Sequence, residues 1–141
     1  EWDEEKEIDW MLLDYPVHDA FRHYMKELNH IYLTYSALWN DYCEDGFEWI
    51  DCHLEEKCVY SFIRKNKEQT LIAVFNFSDK CTDYTFKIDD AEKLHLLIDT
   101  DEQRFGGNAS ADSVVTVRNG NVLLSLSPFS GRLYMTEQKQ N

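Results

Sequence analysis

The spacing of apolar residues changes near Gly46, and this change constrains the fold more than any other feature of the chain. Before it, apolar residues recur three and four positions apart, as they do along one face of an α-helix. After it, short segments rich in β-branched and aromatic residues alternate with polar turns, which is the pattern of antiparallel strands. The sequence therefore predicts a helical segment at residues 1–42 followed by an all-β domain at residues 46–138.

The helical segment carries one strong helix signal and one weak one. Pro16 fits the first position of a helix, where its missing N–H is not needed, and Asp19 lies in the first turn, where the helix dipole favours a negative charge. A shorter helix or turn is predicted around residues 8–13. About two helices cannot complete a bundle, so the apolar face of the longer one should lack a helical partner. That face consists of Val17, Phe21, Tyr24, Leu28, Ile31, Tyr32 and Tyr35.

The second part of the chain is typical of an antiparallel β-sandwich, because many short strands follow one another with turns between them. Residues 65–68 are predicted to close one hairpin, and Asn119-Gly120, a dipeptide typical of type I′ turns, is predicted to close another. The predicted strands are residues 47–52, 59–64, 71–77, 84–88, 94–98, 114–118, 122–126 and 132–135.

The charge of the chain disfavours two classes of partner. There are 27 acidic residues against 14 lysines and arginines, which gives a formal net charge of -13. Such a negative field repels phosphate backbones and anionic lipids, so neither nucleic acid nor a membrane is an expected partner.

Neither a metal site nor a cofactor is predicted. Cys52 and His53 are neighbours, but one such pair is poor evidence for zinc. The four cysteines lie at irregular distances, so we expect free thiols in a reducing cytoplasm rather than disulfides. There is no Gly-x-Ser-x-Gly motif, and acidic residues are so frequent that neighbouring carboxylates arise by chance. No catalytic residue is predicted in this chain.

The loop LIDTDEQRFGGNAS has a glycine pair after a strand, which raises the question of a phosphate-binding site. The motif Gly-x-Gly-x-x-Gly is absent, and the acids of the loop would repel a phosphate. We predict a structural loop instead. Arg104 pairs with a neighbouring acid, Phe105 anchors the loop through apolar contact, and Gly106 and Gly107 adopt left-handed backbone angles.

Seven segments along the chain together resemble one family. They are DWMLLDYPVH, AFRHYMKELNHIY, SALW, GFEWID, IAVFNFS, LIDTDEQRFGG and LSLSPFSGRLYM. Their order is that of the C-terminal end of bacterial 1,4-α-glucan (glycogen) branching enzymes, in the α-amylase superfamily. The resemblance implies that residues 1–42 are the last helical segments of a (β/α)8 catalytic barrel, and that residues 46–138 are the all-β domain attached to it.

The resemblance also implies the reaction of the parent enzyme. An aspartate cleaves an α-1,4 bond and forms a covalent glucosyl-enzyme, a glutamate acts as acid and base, and a 6-hydroxyl of a glucan then attacks to form an α-1,6 branch. These carboxylates belong to barrel strands upstream, so none is carried over to this chain, which alone should be inactive. A start without methionine fits the expectation of a piece cut from a longer protein whose barrel is missing here and whose partner is an α-glucan.

One alternative is a free-standing carbohydrate-binding or protein-interaction β-sandwich. For either reading, Trp49 is the first candidate for binding substrate, because aromatic faces stack on the apolar faces of sugar rings. Phe47 and Trp49 should share one face of a strand. The competing interpretation makes Trp49 a core residue or packs it against the helical segment. Weaker candidates are Trp10, Asp14 and Tyr15.

Overall fold

A computed structural model describes residues 3, 5–40, 42, 45–54, 56–108 and 111–138. One α-helix, α1, precedes eight strands, and short 3₁₀ helices lie at Trp10–Asp14, Ser36–Leu38 and Gln103–Phe105. The long elements are α1 (Pro16–Thr34), β1 (Phe47–Leu54), β2 (Val59–Lys65), β3 (Thr70–Asn76), β4 (Thr82–Lys87), β5 (Ala91–Asp99), β6 (Val114–Thr116), β7 (Asn121–Leu126) and β8 (Ser130–Gln138). All eight predicted strands are therefore present.

The prediction of about two α-helices is wrong, because the shorter one is a single 3₁₀ turn at Trp10–Asp14. Pro16 explains the difference, since a proline forces the preceding residue out of the helical region. Tyr15 accordingly has an extended backbone, with φ -91° and ψ 126°, which separates the 3₁₀ turn from α1. No helix in the described part of the chain is long and apolar enough to cross a membrane.

The strands form two antiparallel sheets. The larger sheet has six strands in the order β1-β2-β3-β8-β5-β6, and the smaller consists of β4 and β7. The smaller sheet packs on one face of the larger, and the inward side chains of both form one apolar core. Removal of these side chains from water is the main stabilising contribution. The core contains Val59, Ile72, Val74, Tyr84, Phe86, Ala91, Leu94, Val122, Leu124, Leu126 and Tyr134.

The Asn119-Gly120 turn has the predicted conformation but does not join two strands of one sheet. Both residues have positive φ, 51° and 75°, as a type I′ turn requires. Strand pairing on either side of the turn is limited to one bridge, between Arg118 and Asn121, because β6 and β7 belong to different sheets. The turn is therefore a corner between the sheets. The other predicted hairpin, between β2 and β3, is a regular antiparallel one.

Helix α1 lies on the opposite face of the six-stranded sheet, so the chain has three layers. The Ser36–Leu38 turn ties the helix to the β2–β3 hairpin. Gln69 Oε1 accepts a hydrogen bond from the backbone N–H of Ala37 at 3.2 Å, and Arg64 Nε donates to the carbonyl oxygen of Ala37 at 3.1 Å. Ala37 is fully buried there. The helical segment thus folds back on the sheet through this turn. The predicted joint at residues 41–46 lies partly outside the described residues.

Candidate functional site

Trp49 lies on β1 in a cluster of three aromatic side chains on the helix-covered face of the large sheet. Its ring centroid is 5.2 Å from that of Phe47 and 5.8 Å from that of Phe62, both in edge-to-face geometry. Phe47 and Trp49 share one face of the strand, as predicted. Trp49 is nevertheless 51% exposed, so it is not a core residue. An exposed indole held by two neighbouring rings presents a rigid flat surface for a ring-shaped ligand.

The aromatic cluster continues across the sheet, and the sequence interpretation missed this continuation. Phe62 is stacked on Phe75 at 6.0 Å, and Phe75 on Phe77 at 5.9 Å. We call the five residues, Phe47, Trp49, Phe62, Phe75 and Phe77, the aromatic row. The alternation of aromatic residues with other side chains along β2 and β3 was a signal that could have revealed it.

Helix α1 lies over the middle of the aromatic row, at Phe62 and Phe75, and leaves both ends exposed, because Trp49 is 51% and Phe77 60% exposed. Two apolar cavities of about 460 and 500 Å³ separate the helix from the sheet. Tyr24 borders both, and burial raises the pKa of its hydroxyl. Nearer the start of the helix, Val17 is 79% and Phe21 62% exposed. The apolar face of α1 is therefore only partly covered by the sheet.

Acidic side chains hold the loop after β5 from within. Asp99 Oδ1 accepts from the backbone N–H of Asp101 at 2.9 Å. The N–H of Asp99 donates to Glu102 Oε1 at 3.0 Å. The N–H of Asn108 donates to Asp101 Oδ1 at 2.9 Å. The carboxylates thus accept hydrogen bonds from backbone groups of their own loop. Their negative charges would repel a phosphate, so the loop is not a phosphate-binding site.

Phe105 joins the same loop to the helix, and Arg104 holds the Phe105 ring from within the loop. Arg104 Nε donates to Glu102 Oε2 at 2.6 Å, and the guanidinium carbon lies 4.5 Å from the centre of the Phe105 ring. That ring meets Tyr24 edge to face, with centroids 5.4 Å apart. The loop is therefore one of the points where the β domain contacts α1.

The loop requires glycine at two positions for different structural reasons. Gly106 has φ 85°, in the left-handed region that was predicted. Gly107 is not left-handed. A Cβ at Gly107 would overlap the backbone carbonyl of Asp101, so it is the close approach of two chain segments that requires glycine there.

The weaker candidates lie at the start of the helix. Trp10 and Asp14 belong to the first 3₁₀ turn, and Tyr15 is the cap of α1, with its ring 6.3 Å from that of His18. Trp10 is 66% exposed. Trp49 contacts the rings of Phe47 and Phe62. Among the described residues, it makes no ring contact with the weaker candidates. Within the same residues, no group of three or more His, Cys, Asp and Glu side chains is placed to hold a metal ion.

Comparison with known proteins identifies the fold. A family model described as "Alpha amylase, C-terminal all-beta domain" matches residues 49–136. In solved structures, an Anoxybacillus alpha-amylase superposes on 84% of this chain and 23% of its own, with TM-score 0.61 and 17% identity. An isomaltulose synthase from Klebsiella sp. LX3 matches 81% of this chain and 17% of its own, with TM-score 0.54 and 21% identity.

Relatives of higher identity carry one name. A 1,4-alpha-glucan branching enzyme of Halothermothrix orenii is 32% identical over 97% of this chain and 21% of its own length. One from Clostridium perfringens is 39% identical over 82% of this chain and 18% of its own. The chain thus spans about a fifth of the length of these relatives, and its resemblance to branching enzymes is confirmed. It belongs to the family of alpha amylase C-terminal all-beta domains.

Proposed function

We propose that this chain is the C-terminal part of a 1,4-α-glucan branching enzyme, which cleaves α-1,4 bonds and forms α-1,6 branches in glycogen-type glucans. The observation that carries the proposal is the identity to branching enzymes over nearly the whole chain, helix included. A free-standing module is not favoured, because the same relatives are about five times longer than the region matched. The catalytic carboxylates belong to the remaining part of such a protein, and this chain contributes none.

The helical segment is proposed to be the end of the catalytic barrel. Support comes from the exposed apolar side chains near the start of α1, Val17 and Phe21, and from Trp10 and Met11 just before it. An apolar surface of this kind is typical of a face that packs on another part of the protein. We accordingly place the domain boundary between residues 42 and 46.

The Trp49 end of the aromatic row is proposed to hold glucan for the parent enzyme. Two observations support this role. The indole of Trp49 is exposed, and its contacts with Phe47 and Phe62 leave it few rotamers to lose when a ligand binds. Trp10, Asp14 and Tyr15 remain candidates on the barrel side. The loop containing Arg104, Phe105, Gly106 and Gly107 is proposed to be structural, since it contacts α1 through Phe105.

A cytoplasmic location and the absence of a cofactor complete the proposal. Cys52 and Cys81 are free thiols, which supports a reducing compartment. Glycogen-type glucans carry no phosphate backbone, so the net charge of -13 does not oppose their binding.

The test compares this chain with the longer protein that contains it. Both are incubated with amylose, and branch content is measured by debranching and chain-length analysis. We expect α-1,6 linkages with the longer protein and none with the 141-residue chain. Branching by the chain alone, or none by the longer protein in its folded state, would overturn the proposal.

A further inference from the structure

The smaller of the two apolar cavities beside α1 lies at the start of the helix, and we call it the apolar cleft. One wall contains Val17 and Phe21 of α1, and the other contains Phe77, just after β3, and Phe129, in the turn between β7 and β8. All four side chains are largely exposed, and Phe129 is 70% exposed. Because they line one cavity and are not scattered, they form a contiguous apolar patch of the kind that marks an interaction surface.

Three polar side chains border the apolar cleft, and the fold already uses each of them. Asn76 Nδ2 donates to two backbone carbonyl oxygens at 2.8 Å, and its Oδ1 accepts from Ser78 Oγ at 2.7 Å. Ser130 Oγ donates to the carbonyl oxygen of Ser127 at 2.7 Å, and Thr100 Oγ1 accepts from a backbone N–H at 2.9 Å. The cleft therefore offers apolar contact and few hydrogen bonds, which suits apolar protein side chains and does not suit a sugar or an anion.

The backbone of Phe129 is strained in the wall of the apolar cleft. Its φ is 47°, in the left-handed region, where a bulky side chain is uncommon. The turn is fixed around it, since its N–H donates to the carbonyl oxygen of Ser78 at 3.0 Å. Strained residues of this kind cluster at functional sites. Glycine or asparagine adopts this backbone more readily, so the turn alone does not require a phenylalanine.

We propose that the apolar cleft is the docking surface for the part of the longer protein that precedes this chain, with Phe77 and Phe129 as its anchors on the β domain. The choice of partner rests on the proposed function. The relatives extend far beyond the region that they share with this chain. Val17 and Phe21 belong to the helix surface that we assign to the barrel side. That surface continues through the cleft onto the β domain, so one partner covers both walls.

Hydroxyl-radical footprinting tests the proposal, because it measures the accessibility of individual side chains. It is applied to the longer protein and to the 141-residue chain. We expect Phe77 and Phe129 to be oxidised at least about threefold more slowly in the longer protein, as for side chains that become buried. Leu123 is an exposed apolar residue of β7 that does not line the cleft, and its oxidation should be equal in the two proteins.

Phe129→Asn separates docking from the folding of the chain itself, because asparagine tolerates the left-handed backbone. The melting temperature of the 141-residue chain should not fall, since the lost ring is mostly exposed. That of the longer protein should fall, because the variant loses an anchor there. The matched control is Leu123→Asn, which replaces another exposed apolar side chain and should affect the two proteins alike.

Branching of amylose is measured on the same samples, so that the proposed function is judged separately. Slower oxidation of the two rings without branching would support the docking surface and contradict the proposed function. Equal oxidation in both proteins, with branching by the longer one, would overturn the docking surface and leave the proposed function intact. Protection that occurs only in the short chain and increases with its concentration would assign the cleft to a second copy and also overturn the proposal. So would an equal fall in melting temperature of the two Phe129→Asn proteins.

Discussion

The carboxylate of Asp99 and the guanidinium of Arg132 form an ion pair inside the sandwich, with 2.7 Å between Oδ2 and Nε. The two residues are directly opposite each other on β5 and β8, and their side chains are 0% and 7% exposed. Arg132 also reaches across to the small sheet through the carbonyl of Ser125. This pair therefore links both sheets and the loop after β5, which Asp99 holds through the N–H of Asp101.

Arg132→Ala should be strongly destabilising, because it leaves the Asp99 carboxylate buried without its partner. We expect a loss of about 3–5 kcal/mol in the free energy of unfolding, measured by urea denaturation. The matched control is Arg104→Ala, which breaks a more exposed pair with Glu102 and should cost less than about 1 kcal/mol. Equal losses for the two variants would contradict the distinction between buried and exposed pairs.

The glycine pair should respond unequally to alanine. Gly107→Ala places a Cβ against the backbone of Asp101, so one of two chain segments must move. Gly106→Ala meets only the Cβ of Ala20, at 3.8 Å, and carries the ordinary left-handed strain of about 1–2 kcal/mol. Thermal unfolding of both variants should therefore rank Gly107→Ala as the less stable. The reverse order would show that φ, and not close approach, dominates in this loop.

Glu137 should give the stability of the chain a measurable dependence on pH. Hydrogen bonds from His95 Nε2, at 2.6 Å, and Lys93 Nζ, at 3.0 Å, lower the pKa of its carboxyl. A carboxyl whose pKa is lower in the folded than in the unfolded chain stabilises the fold at pH values above its unfolded pKa. This contribution is lost as the pH falls through the folded pKa. The hydrogen bond from Lys93 to Glu137 also raises the pKa of Lys93. The stability that the charged lysine contributes is therefore lost only as the pH rises through its folded pKa.

The measurement compares Glu137→Gln with the parent chain by melting temperature from acidic to neutral pH. The difference should be largest near neutral pH and should shrink in the acid range where Glu137 becomes protonated. Because these side chains are exposed, the difference should be small and should decrease with added salt. A control is Glu68→Gln, in the β2–β3 turn, which removes a carboxylate that forms no ion pair within the described residues. A difference for Glu137→Gln that is constant with pH would contradict the assignment.

The strands were predictable from sequence, and their partners were not. Local alternation of apolar and polar residues marks a strand, and Asn119-Gly120 marks its turn, because these are properties of neighbouring residues. Whether β7 pairs with β6 or with β4 depends on packing across the core, which no local pattern encodes. The Asp99–Arg132 pair joins residues 33 positions apart for the same reason.

At the candidate site, too, the sequence predicted local features, and only the folded structure revealed the contacts between distant residues. Trp49 could be selected as an aromatic residue on a strand, but its exposure depends on how far α1 extends over the sheet. The contribution of Phe62 became visible only through the β1–β2 register, which places it directly opposite Trp49. Gly106 followed from the known behaviour of glycine in turns, whereas Gly107 depends on contact with Asp101, which only the folded loop reveals.

Trp49→Ala should abolish most of the binding of a linear glucan to this chain without unfolding it. Maltoheptaose is titrated while tryptophan fluorescence and indole N–H shifts are followed. We expect at least a fivefold weaker Kd, since a stacked ring contributes about 1 kcal/mol or more. The loss of two edge-to-face contacts, to Phe47 and Phe62, should lower the unfolding free energy by only about 1 kcal/mol because half of the side chain is already exposed.

Two further tryptophans serve as controls for this titration. Trp39→Ala changes an exposed tryptophan outside the candidate set and should leave the affinity unchanged. Trp10→Ala tests the competing location at the start of the helix. If Trp10→Ala weakens binding and Trp49→Ala does not, the glucan surface belongs to the helical segment. If Trp49→Ala collapses the fold, its indole is structural, and the aromatic row stabilises the sheet instead of holding glucan.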